Sequence, residues 1–149
     1  MAHRIVADVL IPGRGDPIDR GTVVMEHGEI TYAGPTDRAP AAGSDDTVVE
    51  APAVLPGLWD CHTHFVGMSL SSLDALATVD IVSAAARAVD DAAKVLDGGI
   101  TSVRDVGGIG LRLAPVVAEG RMRGPHIYGA GRILSTTGGH GDIHSLPLD

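Results

Sequence analysis

The sequence is poor in cysteine, in aromatic residues and in long hydrophobic runs. Cys61 is the single cysteine of 149 residues, so an internal disulfide is excluded and a reducing compartment is expected. No apolar run approaches the roughly 20 residues that a membrane span requires. The N-terminal residues also lack the apolar segment and cleavage site of a secretion signal. These absences predict a soluble, cytoplasmic protein with no membrane partner.

Basic residues are scarce as well. The chain has 11 Lys and Arg against 19 Asp and Glu, a formal net charge of -8, and no basic patch interleaved with aromatics. A nucleic-acid partner is therefore not expected. A hydrophobic content of 44% excludes a disordered tail, and 20 glycines with only 3% aromatics suit a tightly turning α/β fold packed with alanine and valine.

Residues 1–52 are typical of a small antiparallel β-domain, or part of one. β-rich segments over 5–11, 22–26 and 29–33 alternate with turns, and His27-Gly28 predicts a two-residue hairpin turn. A polar loop over 36–46 follows, and Val48-Val49 indicates a further short strand. The pattern changes at Ala53.

Residues 53–149 show strands that alternate with helices. Ala53 to Leu55, continued by Leu58 and Trp59, predict a buried strand, and Asp80 predicts the N-cap of a helix that ends at Gly98-Gly99. The apolar residues of that helix recur at spacings of three and four: Val82, Ala85, Val89, Ala93 and Leu96. A strand over 100–104, a helix over 111–119 and a strand over 126–130 complete the order, which predicts parallel pairing. A complete (β/α)8 barrel takes about 250 residues, so the expected fold is an incomplete barrel with the first three strands.

A His-x-His pair follows the first of these strands, in LPGLWDCHTHF over 55–65. Side chains two apart in an extended segment share a side, so His62 and His64 are offered to one point, and imidazole is the commonest metal ligand. Cys61 is out of phase with both and is expected to be a small buried residue rather than a ligand. Two strand-end histidines satisfied by ordinary hydrogen bonds are the alternative interpretation.

Several segments in order resemble the N-terminal part of the metal-dependent amidohydrolase superfamily, especially its imidazolonepropionase-like and prolidase-like members. ADVLI with MEHGEI resembles the small β-domain of that family, and LPGLWDCHTHF resembles its first barrel strand. TSVRDVGG is similar to the second strand and its loop, and GRIL with TGGHGD is similar to the loop after the third strand. The likeness covers nearly the whole chain.

The resemblance implies a metal-dependent hydrolase of C–N bonds that acts on a small amide or dipeptide-like substrate. In that family two divalent ions, commonly zinc, activate a water molecule. His62 and His64 match the histidines of the first strand, and His140 in the third-strand loop is expected to contact substrate. Asp105 ends the second strand, where it is expected either to support a metal-bound histidine from behind or to cap the glycine-rich loop.

The bridging lysine, two later histidines and final aspartate of that family have no counterpart up to Asp149. Because catalytic zinc usually has three protein ligands, the chain alone is expected to be inactive, and metal occupancy stays open. The alternative hypothesis is an inactive fragment that associates through exposed sheet edges into a homo-oligomer, with residues 145–149 at the contact. A complementing barrel fragment from a separate polypeptide is a third possibility.

Overall fold

A computed structural model describes residues 1–68 and 78–142, and the chain has a mixed α/β architecture. It separates into two compact units between Pro56 and Gly57. The boundary predicted from the sequence was four residues earlier, after residue 52. None of the helices in the described ranges is long and apolar enough to cross a membrane. The predicted contact segment 145–149 lies outside the described residues.

The first unit is a four-stranded sheet with the order β3-β2-β1-β4. Its strands are β1 (His3–Leu10), β2 (Ile18–Glu26), β3 (Glu29–Pro35) and β4 (Thr47–Val54). The hairpin between β2 and β3 turns through His27 and Gly28, whose φ angles of 53° and 83° both lie in the left-handed region. β1 and β2 are antiparallel, but β4 pairs parallel with β1, so the predicted purely antiparallel unit is wrong and the sheet is mixed.

β4 also takes residues that the sequence assigned to the next strand. Ala53 and Val54 pair with the end of β1, and the first strand of the second unit, β5 (Leu58–Thr63), begins at Leu58. A short apolar run fits either sheet, because the pattern of hydrophobic residues does not specify which neighbour a strand joins.

A buried ion pair fixes the loop that leads into β4. The guanidinium of Arg4 donates to Asp46 at 2.7 Å and to two backbone carbonyls of the same loop, each at 2.8 Å. This hydrogen bond from Arg4, together with bonds from backbone amides, holds the pKa of Asp46 well below its usual range. The polar segment between β3 and β4 is therefore anchored to the sheet.

The second unit is a three-stranded parallel sheet with the order β5-β6-β7, packed against two helices. Its further elements are α1 (Ile81–Asp97), β6 (Ile100–Asp105), α2 (Gly110–Ala118) and β7 (His126–Gly129). The buried cluster between helices and sheet consists of Phe65, Ala88, Ala92, Val103, Leu113, Met122 and Ile127. The predicted alternation of parallel strands and helices is present.

Helix α1 begins and ends as predicted but buries a different face. The Asp80 carboxylate caps it by accepting from the Ser83 amide at 2.8 Å, and this bond lowers the pKa of Asp80. The buried side chains are Ala84, Ala88 and Ala92. Val82 and Val89 of the predicted stripe are exposed instead. Alanine brings the helix close to the sheet, since a small side chain lets the backbones approach.

Strand β5 is exposed, contrary to the prediction of a buried strand. Leu58 is 49% exposed and Trp59 56%, and Cys61, expected to be buried, is exposed too. Trp59 stacks on Tyr128 of β7 with 5.0 Å between the ring centroids. Within the described part of the second unit, no helix packs on this face of the sheet, which we call the open face, and β5 is an edge strand of the sheet.

Candidate active site

The carboxyl ends of the three parallel strands open into one cleft of about 980 Å³. Ligands of open α/β sheets bind at this edge, because the loops after neighbouring strands meet there. β5 contributes His62 and, just beyond its end, His64, while the segment after β7 contributes His140. The structure thus places three histidines that the sequence singled out in the same cleft.

The rings of His62 and His64 lie 5.1 Å apart between centroids, at an angle of 72°. Both side chains are exposed to the cleft. Nδ1 of His64 lies 2.8 Å from the carbonyl oxygen of Gly107, in the loop after β6. Because a carbonyl oxygen can only accept, a neutral His64 carries its proton on Nδ1 and leaves the Nε2 lone pair free for a ligand.

The ring nitrogens of His62 and His64 are of the kind that could serve as two ligands of a metal ion. Neutral imidazole with a free nitrogen is the form that binds zinc and similar divalent ions. Within residues 1–68 and 78–142, however, no group of three His, Cys, Asp or Glu side chains is close enough to hold an ion. Cys61 is not among the residues that line the cleft. The described residues therefore supply a pair of imidazoles to the cleft but no complete set of metal ligands.

Asp105 lies behind the cleft rather than in it. Its side chain is buried, with 1% of the residue exposed, and it accepts from the amides of Gly107 at 3.2 Å and Gly110 at 2.6 Å. The carboxylate thus caps the glycine-rich loop and the start of α2. Gly110 must lack a side chain here, because a Cβ would overlap the Asp105 carboxylate. Of the two roles expected from the sequence, capping is the one made by direct hydrogen bonds.

His140 lies on a compact loop that Asp142 closes. The Asp142 carboxylate accepts from the Gly138 amide at 2.7 Å, and the Asp142 amide donates to the Gly139 carbonyl at 3.1 Å. His140 and Asp142 both line the cleft. These local hydrogen bonds shape the loop that brings His140 to the cleft.

Two arginines of the cleft were not identified from the sequence. Arg112, in the first turn of α2, and Arg132, after β7, line the cleft and are exposed. The other basic side chains of the second unit have ion-pair or hydrogen-bond partners: Arg87, Lys94, Arg104, Arg121 and Arg123. Within the described part of the chain, neither Arg112 nor Arg132 has such a partner. The signal available in the sequence was their position directly beside the two glycine-rich motifs.

No protein-family model matches the chain. The ochratoxinase of Aspergillus niger is 37% identical over 148 residues, which cover 96% of this chain and 31% of that protein. The imidazolonepropionase of Methylobacterium nodulans is 29% identical over 165 residues, which cover 91% of this chain and 40% of the relative.

Solved structures agree with these relatives. The crystal structure of the A. niger ochratoxinase superimposes with a TM-score of 0.87 and 34% identity, over 99% of this chain and 35% of that one. A prolidase complexed with N-methylphosphonate-L-proline gives a TM-score of 0.81 and 29% identity, over 100% of this chain and 37% of the prolidase. The chain spans 31% to 40% of the lengths of these proteins. Over almost its whole length, the chain is thus homologous to an ochratoxinase and an imidazolonepropionase, and its structural neighbours, which include an amidohydrolase and a prolidase, lie in the amidohydrolase superfamily.

Proposed function

We propose that the protein to which this cleft belongs hydrolyses a C–N bond of a small amide or dipeptide-like substrate, with a divalent metal ion, zinc by preference. The observation that carries the proposal is the pair His62 and His64 at the carboxyl end of β5, with Nε2 of His64 free. The names of the relatives, which include ochratoxinase and a prolidase, support this reaction class. The activity is proposed for the longer protein, since the chain spans only part of each relative.

His62 and His64 would hold one ion through their ring nitrogens. When bound, such an ion makes a nearby water more acidic and polarises the scissile carbonyl. His140 faces the same cleft from the loop after β7, and we assign to it a hydrogen bond to the substrate. In this proposal His62 and His64 bind the metal ion, and His140 orients the substrate.

Arg112 and Arg132 indicate that the substrate carries a negative charge. Each is exposed in the cleft and lacks an internal counter-ion among the described residues, although the whole chain carries a net charge of -8. A guanidinium forms strong, charge-assisted hydrogen bonds with a carboxylate. The substrate is accordingly proposed to carry a carboxylate besides its amide bond, as a dipeptide or an N-acyl amino acid does.

Metal binding can be tested on the chain itself and activity on the longest open reading frame that contains it. Zinc titrated into the ¹⁵N-labelled chain is expected to shift the ring signals of His62 and His64, whereas those of His126 stay unchanged. His126 is the matched control, because it is exposed and lies at the amino end of β7.

For activity, His62→Ala and His64→Ala in the longer protein are expected to lower kcat/KM on N-acyl amino acids by more than the roughly 10–100-fold that loss of an outer hydrogen-bond partner costs. His126→Ala should retain activity. A folded, zinc-loaded longer protein that turns over none of a panel of dipeptides and N-acyl amino acids would refute the proposed reaction.

A second candidate is an inactive fragment that associates with a copy of itself, favoured by the exposed Trp59 and Tyr128 on the open sheet face. The reading frame beyond the Asp149 codon separates the two candidates. A continuation with a lysine-bearing strand, two spaced histidines and a late aspartate supports the hydrolase, and an immediate stop supports the fragment. A separate polypeptide that completes the barrel would be recognised by those same residues.

A further inference from the structure

A chain of hydrogen bonds connects a buried carboxylate to one ring of the histidine pair. Nδ1 of His64 donates to the Gly107 carbonyl at 2.8 Å, and the amide of the same glycine donates to Asp105 at 3.2 Å. The second oxygen of Asp105 is held by the Gly110 amide at 2.6 Å. Asp105 itself is 1% exposed. The Asp105 carboxylate therefore binds the amide of Gly107, while His64 binds the carbonyl of the same residue.

The position of Gly107 between the two side chains requires a glycine. Its φ of 153° is a conformation that residues with a side chain rarely adopt, and a Cβ there would overlap the side chain of Ile133. The loop on either side is tied to the strand that bears the histidines, through Val106 to the Thr63 carbonyl at 3.0 Å and Ile109 to the Phe65 carbonyl at 2.8 Å. The carbonyl that His64 meets thus has one well-defined place.

We propose that Asp105 is a positioning residue that sets the tautomer and the ring orientation of His64 through Gly107. With the Gly107 carbonyl held in place, the Nδ1–H form of His64 is favoured and Nε2 faces the cleft. The consequence for metal binding rests on the proposed function, but the tautomer itself does not. Asp105 is buried and does not line the cleft, so its effect on the cleft passes through Gly107 and His64.

The test compares Asp105→Asn with Asp80→Asn in the full 149-residue chain at pH 8. In the wild type, ring ¹⁵N shifts should show His64 mainly as the Nδ1–H tautomer. Asn offers one acceptor oxygen where Asp105 uses two, so the ratio of tautomers should move by about fivefold toward Nε2–H, the size of change that weakening one hydrogen bond produces. Asp80 also caps a helix but has no link to His64, so Asp80→Asn should leave the ratio unchanged.

A folded Asp105→Asn chain with the wild-type tautomer ratio would overturn the proposal. If that variant does not fold, the wild-type chain still decides the question through amide hydrogen exchange. The Gly107 amide, bonded to Asp105, should exchange more slowly than that of Gly108, which has no hydrogen bond among the described residues. Equal, fast exchange at both glycines would overturn the proposal as well.

The outcomes separate this proposal from the proposed hydrolase. A shifted tautomer in Asp105→Asn together with an inactive longer protein would refute the hydrolase and leave the positioning role in place. An active longer protein in which Asp105→Asn leaves the His64 tautomer ratio unchanged would refute the positioning role and support the hydrolase. Where both hold, Asp105→Asn in the longer protein should weaken zinc binding by about 10–100-fold.

Discussion

Arg112 and Arg132 are the side chains through which recognition of charge can be separated from hydrolysis. If they bind a substrate carboxylate, Arg132→Ala or Arg112→Ala in the longer protein should raise KM for an N-acyl amino acid by about 10–100-fold, the range for hydrogen bonds to charged groups. The corresponding carboxamide, which lacks the charge, should show the same KM in variant and wild type. Steady-state kinetics on this pair of substrates provides the measurement.

Arg121→Ala is the matched control for both arginine variants. Arg121 is exposed and lies just beyond α2, but it pairs with Glu119 at 3.3 Å and does not line the cleft. Its replacement should leave KM for both substrates unchanged. An equal rise in KM for the carboxylate and the carboxamide in Arg132→Ala would contradict the proposal. It would show that the arginine shapes the cleft but does not bind the charged carboxylate.

For single residues, the sequence predicted which side chains reach the cleft better than it predicted how exposed a side chain is. The spacing of His62 and His64 and the motif around His140 were enough to foresee residues that the fold brings to one cleft. The exposure of Cys61 was not foreseeable, because alternation along a strand tells which side a residue takes but not whether that side is covered. Capping was one of two roles that the sequence left open for Asp105, and the path of the loop after β6 was needed to show that its direct hydrogen bonds are those of a cap.

The stripe of alanines on α1 determines how closely that helix approaches the sheet. Ala88 is fully buried in the core with Val103 and Ile127. Ala88→Leu should therefore force the helix away and lower the free energy of unfolding by about 1–3 kcal/mol. Ala86→Leu is the control, since Ala86 is exposed on the same helix and leucine has a helix propensity close to that of alanine. Urea denaturation measures both, and equal stability of the two variants would contradict the close-packed interface.

The ends of α1 were predictable from the sequence, whereas its buried face was not. Asp80 and Gly99 mark the boundaries through local chemistry, the first as a side-chain cap and the second as a glycine in the left-handed region, with φ of 84°. Hydrophobicity favoured the stripe with Val82 and Val89, but close packing on a sheet rewards small size as much as apolar character. The same limit explains β4, whose parallel pairing with β1 depends on the return path of the chain and not on its own residues.

On the scale of the whole molecule, the second unit exposes surface that parallel sheets normally bury. Sheets of this kind are covered on both faces in α/β proteins. Here helices pack on one face, while Trp59 and Tyr128 remain about half exposed on the other. Both outer strands, β5 and β7, have free edges within the described residues. The count of three strands already predicted such edges, but the aromatic stack became visible only with the pairing register.

Trp59 reports on what covers that face, because it is the only tryptophan of the chain. If two copies associate through the open face, its emission should shift to shorter wavelength as the concentration of the 149-residue chain rises, in step with the mass from sedimentation velocity. Trp59→Ser should weaken the association at least about tenfold, as expected for a large aromatic at the centre of an interface.

Leu134→Ser is the control for exposed apolar surface in general. Leu134 is 95% exposed but lies in the segment after β7 and takes no part in the ring stack of Trp59 and Tyr128, so its replacement should not change the association. In the longer protein, further strands would cover the same face, and Trp59 emission should be blue-shifted at every concentration. A monomeric 149-residue chain with unchanging emission would eliminate self-association. A blue shift confined to the longer protein would then identify the open face as the interior of a barrel, since only covalent completion would have buried it.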